Sequence, residues 1–346
     1  MIFRTFSLLI LFVSVSTHAA DQLRVAFGSC ADDDKPDHPI WEAVLASDPD
    51  AFLMIGDNVY ADSPAFQANP SAVLMRAEYA KLAASRGYQR IRAHCPVYAT
   101  WDDHDFGIND GGADWPFRET AAEIFFEFFD PDSPARHTPG VYTSHMLGSG
   151  SRRVQIILLD TRYFRSMPVV AQQTAACPVK NFAPNTDPQA TVLGEAQWRW
   201  LEEELAKPAD ARLIVTSIQA IPDEHCWEKW QNFPIERKRL LSLVGRAGVA
   251  PVVLLSGDRH LGDISRLPEN AAGNEVALIE ITASPLSSSS GFGAGEPNRY
   301  RVSDDNVRVS HFGLVELSWE SPTAEKPTIT FKLIDARGEV RASFEN

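Results

Sequence analysis

Five short segments of this chain end in side chains of metal-ligand type, and four of them follow apolar runs. The segments are Val25–Cys30, Phe52–Tyr60, Ala99–Asp105, Leu213–Gln219 and Val252–His260. The apolar runs are too short for helices and rich in Val, Ile and Leu, so they read as buried parallel strands. In open α/β sheets, ligands bind just beyond the carboxyl ends of the strands. Strands that stop in Gly-Asp or Asp-Asp-His therefore aim carboxylates and imidazoles at one shared site.

With 346 residues, 44% of them hydrophobic, the chain can build a large core, as one α/β domain or two smaller ones. It shows no repeat and no linker-like shift in composition, and Ser287–Gly295 reads as a loop rather than a boundary. The net charge of −14 argues against a nucleic-acid scaffold or an anionic membrane surface. A small phosphorylated substrate is still compatible with it, because bound cations reverse the local field. Residues 1–20 run from a basic Arg4 through an apolar stretch to Ala19-Ala20, the pattern of a secretory signal. The expectation is a single domain over 21–346, periplasmic or secreted, with no stable membrane insertion after cleavage. Export permits disulfides. Cys177 and Cys226, both in polar loop sequence, are the expected pair, and Cys95 is expected to be buried and free.

The pattern predicts strands at 23–28, 51–55, 96–101, 212–218 and 251–256, and a hairpin of 141–146 with 153–160. It predicts helices at 40–46, 71–86, 120–129, 194–206 and 234–247. Alternation at 275–282, 311–319 and 326–335 reads as antiparallel strands. Two sheets packed together with helices outside are the simplest arrangement.

Asp57, after a buried strand and a glycine, can bridge two cations, one on each oxygen. Tyr60 is a poor ligand while its pKa stays near ~10, and alone it reads as a packing residue. A trivalent cation changes that. Cys30 beside it reads as a buried thiol or half a disulfide, but a thiolate and a phenolate together suit ferric iron better than magnesium or calcium. In Trp101–Gly107, Asp103 offers hard oxygens and His104 can hand a proton to a leaving oxygen. A helix start there is disfavoured by Gly107 and Gly111-Gly112. Asp258 and His260, two apart on an extended segment, point the same way.

Taken together, Phe27-Gly28-Ser29-Cys30, Gly56-Asp57-Asn58-Val59-Tyr60, Trp101-Asp102-Asp103-His104-Asp105, Leu159-Asp160-Thr161-Arg162 and Ser256-Gly257-Asp258-Arg259-His260 resemble the PhoD-like alkaline phosphatase/phosphodiesterase family. That family belongs to the calcineurin-like metallophosphoesterases, and the resemblance spans about residues 24 to 320. It implies a four-layer α/β/β/α sandwich. It implies Fe3+ held by Cys30, Asp57, Tyr60 and His260, and Ca2+ held by Asp57, Asp103 and Asp258. It implies His104 as proton donor, Arg162 on the phosphate, and Asn58, Asn109 and Gln219 near the substrate. Gln219 and Asp258 stand where the wider superfamily carries His, and Asp103 where it carries Asn. Well-known members carry a separate β domain before the first motif, and some close the site with a C-terminal helix. Here few residues precede the first motif after the signal, and 328–346 read as strand, so a more open site and a different substrate range are expected. The implied activity is hydrolysis of phosphate monoesters, diesters or both. A diesterase restricted to phospholipid or nucleotide diesters and a non-catalytic exported calcium- or phosphate-binding protein are the alternatives. His104 separates catalysis from binding, since a binder needs no proton donor.

Overall fold

The apolar runs become the inner strands of two facing sheets. A computed structural model describes residues 22–32, 34–150, 152–289, 295–303, 305–321, 324 and 326–346; the expected signal segment lies outside the described residues. The strands are β1 (Gln22–Gly28), β2 (Ala51–Ile55), β3 (Val97–Thr100), β4 (Thr143–Leu147), β5 (Val154–Leu158), β6 (Val169–Val170), β7 (Phe182–Ala183), β8 (Ala211–Val215), β9 (Val252–Ser256), β10 (Gly262–Leu267), β11 (Leu278–Ala283), β12 (His311–Ser318), β13 (Thr328–Asp335) and β14 (Val340–Glu345). The helices are α1 (Ile40–Ala46), α2 (Pro64–Ala68), α3 (Ala72–Ala84), α4 (Arg86–His94), α5 (Asp103–Phe106), α6 (Arg118–Phe129), α7 (Gly194–Leu205) and α8 (Pro234–Val244).

One sheet runs β14-β13-β12-β1-β2-β3, the other β10-β11-β9-β8-β5-β4, and β6 and β7 form a small ribbon. The central strands are parallel: β1 with β2 and β3, and β11 with β9, β8 and β5. Each central strand buries both faces. Leu53 and Ile55 of β2 meet Ile156, Leu158, Leu213 and Val215 between the sheets. Phe52 and Met54 point outward to Trp41, Met75 and Phe125 of the first helical layer. Ile157, Ile214 and Leu254 pack outward on Trp198, Leu201 and Leu240 of α7 and α8. Burial on both sides is why these runs are continuously apolar, and each buried Leu or Ile contributes roughly 1.5–3 kcal/mol. The layering is the α/β/β/α sandwich.

Three predicted elements change on folding. The strand expected at 275–282 to be antiparallel becomes β11, antiparallel to β10 but parallel to β9. The helix expected at 71–86 ends at Ala84, and α4 begins one residue after the break. Ser85 is extended there and its hydroxyl accepts from the Tyr88 amide, capping α4. Gly87 passes under Trp41, where a Cβ would lie 2.3 Å from the ring, and α1 and α4 pack tightly through that gap. The strand expected at 212–218 stops at Val215, because the chain leaves the sheet to enter the site. Cys177 and Cys226 form a disulfide, and Cys95 is buried and free. The tail from Thr328 is strand, as expected, but as the hairpin of β13 and β14 rather than one strand. Among the described residues, no helix is long and apolar enough to cross a membrane.

Candidate metal centre

The chain turns sharply where the parallel strands end. Cys30, Asp57, Asp258 and His260 have φ of 55°, 49°, 62° and 52°, in the left-handed region that L-residues avoid. Each such residue costs on the order of 1–3 kcal/mol, a strain that collects at functional sites. This corrects the expected extended geometry of Asp258 and His260. Gly257 runs against Ser29, and the Arg259 amide donates back to the Gly257 carbonyl at 2.7 Å. The convergence of these side chains comes from that turn rather than from strand alternation.

Asp103 and His104 sit on α5, a single turn, so the helix start that the glycines disfavour does form. Gly107, at φ 98°, is its left-handed C-terminal cap, and one turn needs no more. Asp105 organises this turn: its carboxylate accepts from the amides of Asn58 at 2.9 Å, Val59 at 3.2 Å and Asp102 at 3.0 Å.

Asp57 lies at the centre. Ligand atoms of Cys30, Asp57 and His260 fall within 4.8 Å of one another, as do those of Asp57, Asp102, Asp103 and Asp258. A third group joins Asp57, Asp103 and His104. Tyr60 lies alongside, its ring 4.5 Å from that of His104. Burial pushes the Cys30 thiol up to about 12, and pushes Asp57, Tyr60 and Asp258 above their ordinary values. Burial also lifts Asp102, to about 7, although Arg162 opposes the rise. Asp103 goes the other way: burial would raise it, but the charges of Arg162 and His104 outweigh that and lower it. Oδ1 of Asp57, Oδ1 of Asp103 and Oδ2 of Asp102 are buried without a hydrogen-bond partner. Buried carboxylates crowded beside a thiol, a phenol and an imidazole, with acceptors unpaired, are a donor set that fits cations.

His104 is pushed up to about 11; burial works against this, but the Asp57 and Asp103 charges and a bond to Asp62 prevail. Its Nδ1 lies 2.8 Å from the Asp62 carboxylate. His260 is pushed down by burial, and its Nδ1 lies 2.5 Å from the Ser289 carbonyl.

A pocket of about 210 Å3 opens over the centre, lined by Asp103, His104, Asn109, Asp258, His260 and Lys180 among others. Arg162 does not line it. Its guanidinium is sealed from solvent and paired with Asp102 and Glu228, so in this arrangement it has no open face for a phosphate. Asn58 and Gln219 are also buried outside the lining, donating to the Thr100 carbonyl and the Thr282 hydroxyl respectively. Sequence reasoning misses Asp62, Asp110, Lys180, Trp227 and Glu228. Only the pairing of Cys177 with Cys226, which brings Lys180 and Trp227 to one rim, carries a signal for any of them.

The family model for PhoD-like phosphatases matches residues 25–345. The chain belongs to the PhoD-like phosphatase family. A solved structure titled "Structure of PhoD" is 16% identical, with a TM-score of 0.69 over 94% of this chain and 68% of that one, a likeness in fold. A hypothetical protein from Thermus thermophilus is 14% identical over 94% of this chain and all of that one, but its TM-score of 0.40 is too low to bear on the argument. No curated protein matches the chain. This PhoD-like phosphatase is thus a phosphoesterase, of a metal-dependent family.

Proposed function

We propose that this phosphatase is exported and hydrolyses phosphate monoesters, diesters or both at a two-cation site holding Fe3+ and Ca2+. The observation that carries the reading is the double membership of Asp57, grouped with Cys30 and His260 on one side and with Asp103 and Asp258 on the other. Cys30, Asp57, Tyr60 and His260 would hold the ferric ion; Asp57, Asp103 and Asp258 would hold calcium. Such a pair, when bound, lowers the pKa of water and offsets phosphate charge. Without a cation, burial keeps the Cys30 thiol and Tyr60 phenol protonated; a trivalent ion reverses that preference.

His104 is the proton donor to the leaving oxygen. Asp62 engages Nδ1, so Nε2 is the nitrogen that transfers. Cations beside Asp57 and Asp103 would cancel the charges that hold the imidazolium pKa so high, bringing it toward neutrality where transfer is efficient. A binding protein has no use for this pair. Arg162 supports the centre from behind by holding Asp102 and Glu228, and Asn58 and Gln219 support its walls. Asn109 lines the pocket, and we assign it substrate contact.

Metal analysis of the purified protein tests the reading, with iron and calcium expected together. Phenolate-to-iron charge transfer should give a visible band that Tyr60→Phe removes. A colourless, iron-free and active enzyme would sink the ferric assignment, and activity that survives complete chelation would sink metal dependence.

A further inference from the structure

The pocket over the acidic centre continues beyond its own rim. Lys180 and Trp227 line it and also line a second cavity of about 380 Å3. Pro178, Val179 and Pro297 supply apolar walls to that cavity, and the Cys177–Cys226 disulfide joins its two sides. Val179 is 65% exposed at its edge. The partition between the two spaces is braced: the Arg259 guanidinium stacks over Trp227 at 4.9 Å and pairs with Glu296 at 2.5 Å.

We propose that this second cavity takes the alcohol portion of the substrate, and that the enzyme selects phosphate esters of a bulky, uncharged and largely apolar alcohol. The inference rests on the phosphoesterase reading and adds the substrate class. Three observations support it. The first pocket alone is small for a complete organic ester, whereas the two together reach the roughly 300–1,000 Å3 typical of organic-ligand sites. The shared wall carries the cation: Lys180 pairs with Asp110 in the first pocket, where a phosphate oxygen can compete for its ammonium, and its stem leads back to Val179 in the second. Glu224 also lines the second cavity, where its carboxylate accepts from the Arg299 amide and repels a second anionic group.

The test compares ethyl phosphate with naphthylethyl phosphate on the metal-loaded enzyme. Their alkoxides leave with similar difficulty, so kcat/KM reports the fit of the alcohol. The native enzyme should prefer the naphthylethyl ester by about tenfold or more, a scale that pocket contacts commonly supply. Val179→Trp and, independently, Ala176→Trp fill the second cavity from its edge and should cut that preference about tenfold. Inhibition by inorganic phosphate should stay within about twofold in both, since neither residue lines the first pocket. No preference in the native enzyme, or a preference unchanged in both filled variants, overturns the proposal. The same comparison is run on the methyl diesters of the two phosphates, where the preference is equally required; a native enzyme that hydrolyses none of the four esters fails the phosphoesterase reading and this one with it.

Discussion

His104 shows how much a single residue depends on neighbours far along the chain. Its motif is plain in the sequence, but the partner that orients it, Asp62, lies 42 positions earlier and carries no spacing signal. His104→Ala should leave the metal content nearly intact, because the proposed ferric and calcium ligands are other side chains and His104 shares only the third grouping. The rate should fall by roughly 10²–10⁴, the usual scale of general acid catalysis. The loss should be larger for alkyl than for nitrophenyl phosphates, since an alkoxide needs a proton and a nitrophenolate hardly does. Equal losses on both esters would make His104 a positioning group instead. Arg162 carries the opposite lesson. Its motif suggests an anion grip, but it is completely buried between Asp102 and Glu228, the observation behind the supporting role proposed for it.

At the scale of elements, the centre is a set of tight turns held by one carboxylate. Asp105 ties β2's exit to the start of α5 through three backbone amides, and its ligand atoms belong to none of the metal groupings. Burial lifts its pKa to about 7, against which those amides pull. Asp105→Ala leaves three buried donors unpaired and should destabilise the fold by about 3 kcal/mol, read from urea unfolding. A change below about 1 kcal/mol would mean that the turn holds without it. In the sequence this stretch reads as a breaker-rich loop, because Gly107 outweighs the capping pattern. A one-turn helix has no periodicity to detect, so only packing reveals it.

For the molecule as a whole, the two sheets must stay together for Cys30 and Asp57, from one, to meet Asp258 and His260, from the other. His311 at the start of β12 reports on that assembly. It is fully buried, and burial pushes its pKa down to about 4 from 6.5. Its folded pKa lies below its unfolded one, so the contribution is intact above pH 6.5. It is lost as pH falls toward 4, where the unfolded chain takes the proton first. The loss should approach about 3 kcal/mol. His311→Gln should flatten that part of the stability profile between neutral pH and pH 4, measured on metal-free protein to keep ligand titration out of the comparison. An unchanged slope would place the acid sensitivity elsewhere.

The central strands and most residues of the candidate centre could be read from the sequence, because a strand buried on both faces needs an unbroken apolar run and ends abruptly at a polar site. Cys30, Asp57, Asp103, His104, Asp258 and His260 were visible as strand ends. The tertiary structure alone decided which of them share a cation-sized space, since the left-handed turns that bring them together leave no periodic trace. It alone placed Asp62 on His104, sealed Arg162, and brought Lys180 and Trp227 to the pocket from loops 47 residues apart. Contacts between distant segments depend on how the sheets pack, and local sequence preference does not encode that packing.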